Sequence, residues 1–349
     1  MKKGKRIINI FSLMLISTLI VGCNKESNIK FKKEIKIGVT LYKQDDTFIS
    51  TISKNLEEIV KENESVDKSK IILDFVDAKG STINQGNQVD KFINQDYDVI
   101  CVNLVDRTAA STIIDKAKSA DIPLIFFNRE PVEEDMNRWD KLYYVGAQAE
   151  QSARLQAEIV LDEWLSQKDI VDKNKDNKIQ YVMLEGEPGH QDSSIRTEYC
   201  IKSITEKGVQ LEKLADDSAN WQSDQAISKM NQWIKEFGDK IEVVFSNNDV
   251  MALGAIHAIN SSDVFTKKPT VVGIDGIKEA MESVKKGEMI GTVISDSKAQ
   301  AQAIFNIAIA LAKGNDIQDI EELENNKYIK VPHTKVTKSN VDLYMENEK

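Results

Sequence analysis

The sequence predicts an α/β protein built from two doubly wound parallel-sheet lobes, and three observations carry that expectation. The chain has 349 residues, more than one hydrophobic core usually organises, so two domains are expected. Short apolar runs of strand length alternate with segments whose apolar residues recur at helical spacing, the pattern of parallel strands covered on both faces. That alternation comes in two successive series. With 41% hydrophobic and 29% charged residues the body reads as globular, and five prolines leave little room for long extended linkers.

The first strand is written by Ile35, Ile37, Val39 and Leu41 at alternate positions. A helix follows, with Ile49, Ile52, Leu56, Ile59 and Val60 on one face. Strands are then expected at 71–76, 99–104 and 124–127, each separated by a helical pattern. The second series is expected to begin with a strand at 142–145 and a helix at 151–164. Strands at 180–184, 209–214, 242–245, 271–274 and 291–294 continue it, with a helix at 194–206. A helix at 299–312 and a last strand at 328–331 complete the reading.

The N-terminal residues read as a targeting segment rather than as fold. Lys2, Lys3, Lys5 and Arg6 form a basic start, and 7–21 are apolar apart from Asn9, Ser12, Ser17 and Thr18. The run Leu19-Ile20-Val21-Gly22-Cys23 reads as a lipobox, so residues 1–22 are expected to be a lipoprotein signal peptide and Cys23 the lipidated N-terminus. The alternative is a short transmembrane anchor, but the apolar run is marginal for a span of about 20 residues. Residues 23–34 are polar and lysine-rich, a flexible leash between lipid and domain. Removing four positive charges takes the formal net charge from −10 to about −14. Such a chain offers no basic face for phosphates, which argues against a nucleic-acid partner. Cys101 and Cys200 read as buried thiols, with a disulfide between them as the alternative.

Open α/β sheets bind ligands beyond the C-terminal ends of their strands. Tyr42, Asp45, Asp46 and Phe48 follow the first expected strand, and Asn103 and Asp106 follow another. In the second series, His190, Asp192 and Arg196 follow one strand and Trp221 another, and Asn247, Asn248, Asp249 and Asp275 stand at further strand ends. Singly, Asp46 or Asp249 is a helix N-cap and Trp221 is packing. Together they suit a sugar: carboxylates, amides and guanidinium satisfy hydroxyls that both donate and accept, and flat rings cover its C–H faces.

These residues also carry a resemblance. From about Ile35 to Val336 the chain is similar to the galactose/glucose-binding proteins of the type I periplasmic-binding-protein family. The likeness lies in Gly38-Val39-Thr40-Leu41-Tyr42-Lys43-Gln44-Asp45-Asp46-Thr47-Phe48, Asn103-Leu104-Val105-Asp106 and Phe126-Phe127-Asn128-Arg129-Glu130-Pro131. Gly186-Glu187-Pro188-Gly189-His190 and Asn247-Asn248-Asp249 complete it. The resemblance implies that Asp46, Asn103, His190, Asp192, Arg196, Asn248 and Asp275 hydrogen-bond a hexose, with Phe48 and Trp221 sandwiching it. Ser295 departs from the pattern, standing where the family usually has asparagine. The ligand implied is D-galactose, D-glucose or a methyl-galactoside.

The segment Asp172-Lys173-Asn174-Lys175-Asp176-Asn177-Lys178-Ile179-Gln180 places oxygen donors at alternate positions, like the first nine places of an EF-hand loop. By spacing alone it is either a solvated polar turn or a calcium site, since the twelfth position is Met183 rather than glutamate. The resemblance implies a structural calcium ion held by Asp172, Asn174, Asp176 and Gln180, by the main-chain carbonyl of Lys178, and by a distant glutamate, here Glu242.

An enzyme is disfavoured. The chain has three histidines and no nucleophile elbow, phosphate-binding glycine loop or metal-hydrolase helix. A transcriptional regulator would need an N-terminal helix-turn-helix, where a lipobox and leash stand instead. The resemblance implies a monomeric, membrane-tethered, extracytoplasmic binding protein delivering sugar to an ABC transporter permease and ATPase. The alternative is a sensor presenting sugar to a chemoreceptor or receptor kinase. An N-terminal lobe of 35–128 plus 298–330 and a C-terminal lobe of 129–297 plus 331–349 are expected. Crossovers near 128–130, 295–297 and 331–333 would make the motion between them a hinge bend.

Overall fold

The computed structural model describes residues 34–345 apart from 68, 69, 319, 321 and 322. The signal peptide, Cys23 and nearly all of the leash lie outside the described residues. The chain opens with β1 (Glu34–Leu41), α1 (Thr47–Asp67), β2 (Lys70–Asp77), α2 (Thr82–Asn94) and β3 (Val99–Val102). It continues through α3 (Ala110–Ala120), β4 (Leu124–Phe127), α4 (Glu133–Met136) and β5 (Leu142–Ala147). The next series is α5 (Ala149–Ser166), β6 (Lys178–Glu185), α6 (Gln191–Glu206), β7 (Gln210–Ser218), α7 (Ser223–Phe237) and β8 (Val243–Ser246). After it come α8 (Asp249–Asn260), β9 (Thr270–Val272), α9 (Lys278–Lys286) and β10 (Gly291–Ser295). α10 (Ser297–Ala312), β11 (Tyr328–Val331), β12 (His333–Thr337) and α11 (Val341–Met345) end the described chain.

These strands form two six-stranded sheets, in the orders β2-β1-β3-β4-β5-β11 and β7-β6-β8-β9-β10-β12. Every pairing is parallel except β10 with β12, which is antiparallel. Strands buried on both faces need apolar residues at successive positions, and Leu124-Ile125-Phe126-Phe127 shows that run. One face of the first sheet packs with Ile49, Ile52 and Leu56 of α1 and Ile304 and Ile307 of α10. Its other face packs with Val89 and Phe92 of α2 and Ile113 and Ile114 of α3. The second sheet is covered likewise, by α5 and α6 on one face and by α7, α8 and α9 on the other.

The lobe boundary expected at 128/129 is corrected. β5 pairs with β4 through Leu124↔Leu142 and with β11 through Tyr328↔Tyr144, so it belongs to the first lobe. The first crossing therefore lies at Gln148, between β5 and α5, and not at 128–130. A fully buried apolar strand carries no mark of which sheet it joins; only pairing decides that. The chain passes between the sheets again at Asp296 and at Pro332. β12 was not expected as a separate strand. Cys101 and Cys200 are free and buried, so the disulfide alternative is not formed, and burial pushes the Cys101 thiol up to about 12.

In each sheet the chain reverses its direction of travel once, between β1 and β3 and between β6 and β8. Loops beyond the strand ends part there, leaving a crevice. The two crevices supply the candidate site.

Candidate ligand-binding site

The first lobe presents the turn after β1. Asp46 caps α1: its Oδ1 accepts from the Ile49 amide at 2.9 Å, and its main-chain oxygen from the Ser50 amide at 2.8 Å. Its Oδ2 accepts from the Tyr42 hydroxyl at 2.5 Å. Capping and display are therefore compatible in one carboxylate. Phe48, one residue into α1, packs against the first-lobe core.

The second lobe contributes a denser polar set. His190 is the N-cap of α6, and its Nδ1 accepts from the Asp192 amide at 3.1 Å, so the ring proton sits on Nε2. Burial, helped by the charges of Arg129, Arg196 and Arg107, holds its pKa well below 6.5. His190 is a neutral Nε2–H donor. One turn on, Arg196 meets Asp192 at 3.3 Å, Asp275 at 3.4 Å and the Asn247 carbonyl at 2.8 Å. Burial raises the pKa of Asp192 against the pull of Arg196. Burial likewise raises Asp275 to about 7; Arg196 opposes this, and the charges of Asp46 and Asp192 add to it.

Trp221 stands where a side chain at Gly186 would be. A Cβ on Gly186 would lie 2.0 Å from the indole, so glycine is what lets the ring lie against the β6 exit loop. The ring meets His190 edge to face, with centroids 5.3 Å apart. Asn248 caps α8, its Oδ1 accepting from the Met251 amide at 2.9 Å, which leaves its NH2 as a donor. The neighbouring Asp249 is scaffold: its carboxylate accepts from the amides of Gly276 and Ile277 and from the Thr292 hydroxyl. It shapes the turn that carries Asp275.

These groups enclose one cavity of about 370 Å³ of atom-free space, part of it open to solvent, lined by Tyr42, Asp46, Phe48, Asn128, His190, Asp192, Arg196, Trp221, Asn248 and Asp275. Eight of the ten residues named from sequence meet there. Asn103 does not line it: fully buried, its amide is engaged by Tyr42, Phe127 and Asn128. Ser295 does not either; its Oγ accepts from Gln300 at 3.2 Å, and its amide donates to the Asp275 carbonyl. Tyr42 and Asn128 are additions. Asn128 directly follows β4, at a strand end, although by sequence it is expected at a crossover.

The backbone is special at the cavity. Asn128, Trp221 and Asp275 have φ of 60°, 64° and 121°, conformations that surrounding structure must impose on non-glycine residues and that cluster at functional sites. Arg196 Nε and Trp221 Nε1 are buried with no protein partner among the described residues. Such donors call for an acceptor that the chain does not supply. Across the cleft, Arg129 of the first lobe pairs with Glu187 of the second at 2.5 Å, and Gln191 donates to the Asn128 carbonyl at 3.0 Å.

At the opposite end of the second sheet, before β6, lies the acidic loop. Glu242 reaches into it from the start of β8: Oε1 accepts from the amides of Lys173 and Asn174, and Oε2 from that of Gln180. Asp176 accepts from the Lys178 amide and from Gln180 Nε2, and Asn174 Oδ1 accepts from the Asp176 amide. Lys175 and Asn177 are left-handed, with φ of 65° each. Among the described residues, no group of three or more His, Cys, Asp or Glu converges as metal ligands. Asp172 is buried, however, and its Oδ1 has no partner. With the amide oxygens of Asn174 and Gln180 and the Lys178 carbonyl, the donor set is all oxygen and fits a hard cation.

Comparison with known proteins gives this geometry its relatives. A family described as periplasmic binding protein domain matches residues 37–316. The D-galactose/methyl-galactoside binding periplasmic protein of Haemophilus influenzae is 36% identical over 92% of this chain and 95% of its own. The xylitol-binding protein of Mycolicibacterium smegmatis is 30% identical, over 89% of this chain and 80% of its own. Among solved structures, an ABC transporter solute binding protein from Bacillus halodurans with bound myo-inositol superposes with a TM-score of 0.74 at 29% identity. That match covers 89% of this chain and 97% of the other.

Proposed function

The chain belongs to the periplasmic binding proteins, and on that premise we propose that it captures a hexose of the galactose or glucose type and delivers it to an ABC transporter. It is a binding protein and not an enzyme. The observation that carries the reading is the interlobe cavity, where carboxylates, two amides, a guanidinium and a neutral imidazole surround a space rimmed by the rings of Phe48 and Trp221. Hydroxyls that donate to Asp46, Asp192 and Asp275 keep lone pairs for Asn248, Arg196 and His190, so a small polyhydroxylated ligand satisfies both sides. Relatives named for galactosides, xylitol and myo-inositol support that class. The galactoside relative, with the highest identity of the three, supports a hexose.

Mechanistically, ligand contacts from both lobes favour the closed arrangement, and the transporter would read that shape. The acidic loop would hold calcium through Asp172, Asn174, Asp176, Gln180, the Lys178 carbonyl and Glu242. The ion would pin the start of β6 and take no part in sugar recognition. Cys23 would anchor the protein, as a monomer, at the extracytoplasmic face of the membrane; an acyl mass on Cys23 in membrane extracts tests this.

The deciding experiment is thermal shift and calorimetry of residues 24–349 with D-galactose, D-glucose, methyl-galactoside, pentoses, xylitol and myo-inositol. Ligand bound only to the native state raises Tm, by about 2.7 kcal/mol of stability at a hundredfold excess over Kd. A hexose should give the largest shift. Pentoses or polyols outranking every hexose would overturn the specificity, and no response to any of them would overturn the sugar reading.

A further inference from the structure

We infer that Tyr42 joins ligand capture to lobe closure: its hydroxyl positions Asp46 for the ligand, and its ring carries the arginine that meets the second lobe. The inference rests on the sugar-binding reading and goes beyond it to how the two events are coupled. Tyr42 directly follows β1 and is 4% exposed. Its backbone is held on both sides, the N–H facing Asn103 Oδ1 at 3.4 Å and the carbonyl accepting from the Gly80 amide at 2.7 Å. With its ring packed in the first-lobe core, the side chain has little freedom.

The hydroxyl is the first working part. It donates to Asp46 Oδ2 at 2.5 Å, while Asp46 Oδ1 accepts from the Ile49 amide at 2.9 Å. Burial, and then the charge of Asp46, pushes the phenol pKa up, so the proton stays on Tyr42 and the bond keeps this direction. One donor on each oxygen fixes the plane of the carboxylate. An ionised carboxylate has about four acceptor positions. Two are used within the lobe, and the others are left for hydroxyls in the cavity that Asp46 lines.

The ring is the second working part. The guanidinium carbon of Arg129 lies over it, 3.9 Å from the centroid. Contact through the flat face leaves the guanidinium edge free for hydrogen bonds. One terminal nitrogen reaches the Val105 carbonyl at 2.8 Å, and the other reaches Glu187 of the second lobe at 2.5 Å. An arginine resting on a rigid aromatic surface is aimed before the lobes meet. Asp46 and Arg129 thus lean on opposite parts of one residue, its hydroxyl and its ring face.

Two substitutions separate these parts. Tyr42→Phe keeps the ring and removes only the hold on Asp46, whereas Tyr42→Leu removes both. Calorimetry with D-galactose and D-glucose should show about a tenfold loss for Tyr42→Phe. In an Asp46→Ala background the same change should alter affinity by less than about twofold, because the hydroxyl acts through Asp46. A tenfold loss that persists there would make Tyr42 a direct ligand contact and overturn the positioning role. Small-angle scattering of the ligand-free protein should give a wild-type radius of gyration for Tyr42→Phe and a larger one for Tyr42→Leu. Glu187→Gln should lower affinity as much in Tyr42→Phe as in the wild type, and at least about threefold less in Tyr42→Leu. If Tyr42→Leu fails to fold by far-UV spectroscopy, Arg129→Lys replaces it in both measurements, since it keeps the charge and loses the flat contact. Wild-type affinity in Tyr42→Phe, or equal radii for the ring-keeping and ring-losing variants, would overturn the inference. A wild-type protein that binds none of these sugars would sink the sugar reading instead, and the scattering comparison then decides the link to closure.

Discussion

Glu187→Gln should loosen the closed arrangement without harming either lobe. The Arg129 side chain is 5% exposed and that of Glu187 32%, and the two meet at 2.5 Å from opposite lobes. The arginine is otherwise well placed, with the Val105 carbonyl at 2.8 Å and the Tyr42 ring 3.9 Å from its guanidinium carbon. Removing one partner of a fully buried pair costs about 3–5 kcal/mol, and an exposed pair contributes less than about 1. Glu187 is about a third exposed, so solvent screening brings the expected loss to about 1–2 kcal/mol. The pair exists only across the cleft, so the whole loss falls on the open–closed equilibrium, a factor of about 5–30. Small-angle scattering of the free variant should show a larger radius of gyration, and ligand affinity should fall by up to the same factor. The melting temperature should change little. If scattering and affinity both match the wild type, the pair is not a latch and the reasoning fails.

Three further outcomes follow from other parts of the molecule. Trp221→Ala should weaken sugar binding by about 2 kcal/mol or more, roughly 30-fold, with the fold intact; unchanged calorimetric titration would remove Trp221 from the site. Chelation should lower Tm and calcium should restore it better than magnesium, whose small octahedral shell suits this loop poorly. Glu242→Gln should weaken that rescue while sugar affinity stays within about twofold, because the loop lies at the opposite end of the sheet; a melting curve indifferent to chelator and calcium would make the loop a polar turn. His333 sits by the third crossing with both ring nitrogens unpartnered, and burial, with the charge of Arg196, lowers its pKa to about 3. The unfolded chain takes up a proton near pH 6.5 that the folded chain refuses, so His333 costs stability as pH falls from there toward 3, about 1.4 kcal/mol per unit. His333→Gln should therefore flatten the Tm–pH curve between pH 7 and 5 relative to wild type; parallel curves would contradict this.

Much of the candidate site was legible because its residues obey a positional rule. A strand end at a sheet reversal is where a ligand can sit, and polar residues there stand out against apolar strands. Asp46, His190, Trp221 and Asn248 were found in this way and all line the cavity. Asn103 obeys the same rule yet lies one layer too deep, because its amide is spent on the Tyr42 and Phe127 backbone. Sequence position tells that a residue is near the crevice, not whether its side chain is already satisfied.

By itself the sequence determined the layered α/β architecture and marked the polar strand ends, since hydrophobic periodicity and strand-end chemistry are local properties written within a few residues. Only the tertiary structure decided that β5 completes the first sheet, that Asn128 rather than Asn103 faces the cavity, and that Arg129 meets Glu187 across it. Each of these depends on partners from 18 to 184 residues apart: β5 with β4 and β11, Asn103 with Phe127 and Asn128, Arg129 with Glu187. Strand pairing and amide orientation are set by which donors and acceptors meet in space, and a buried apolar strand or an asparagine carries no local mark of the partner it will find.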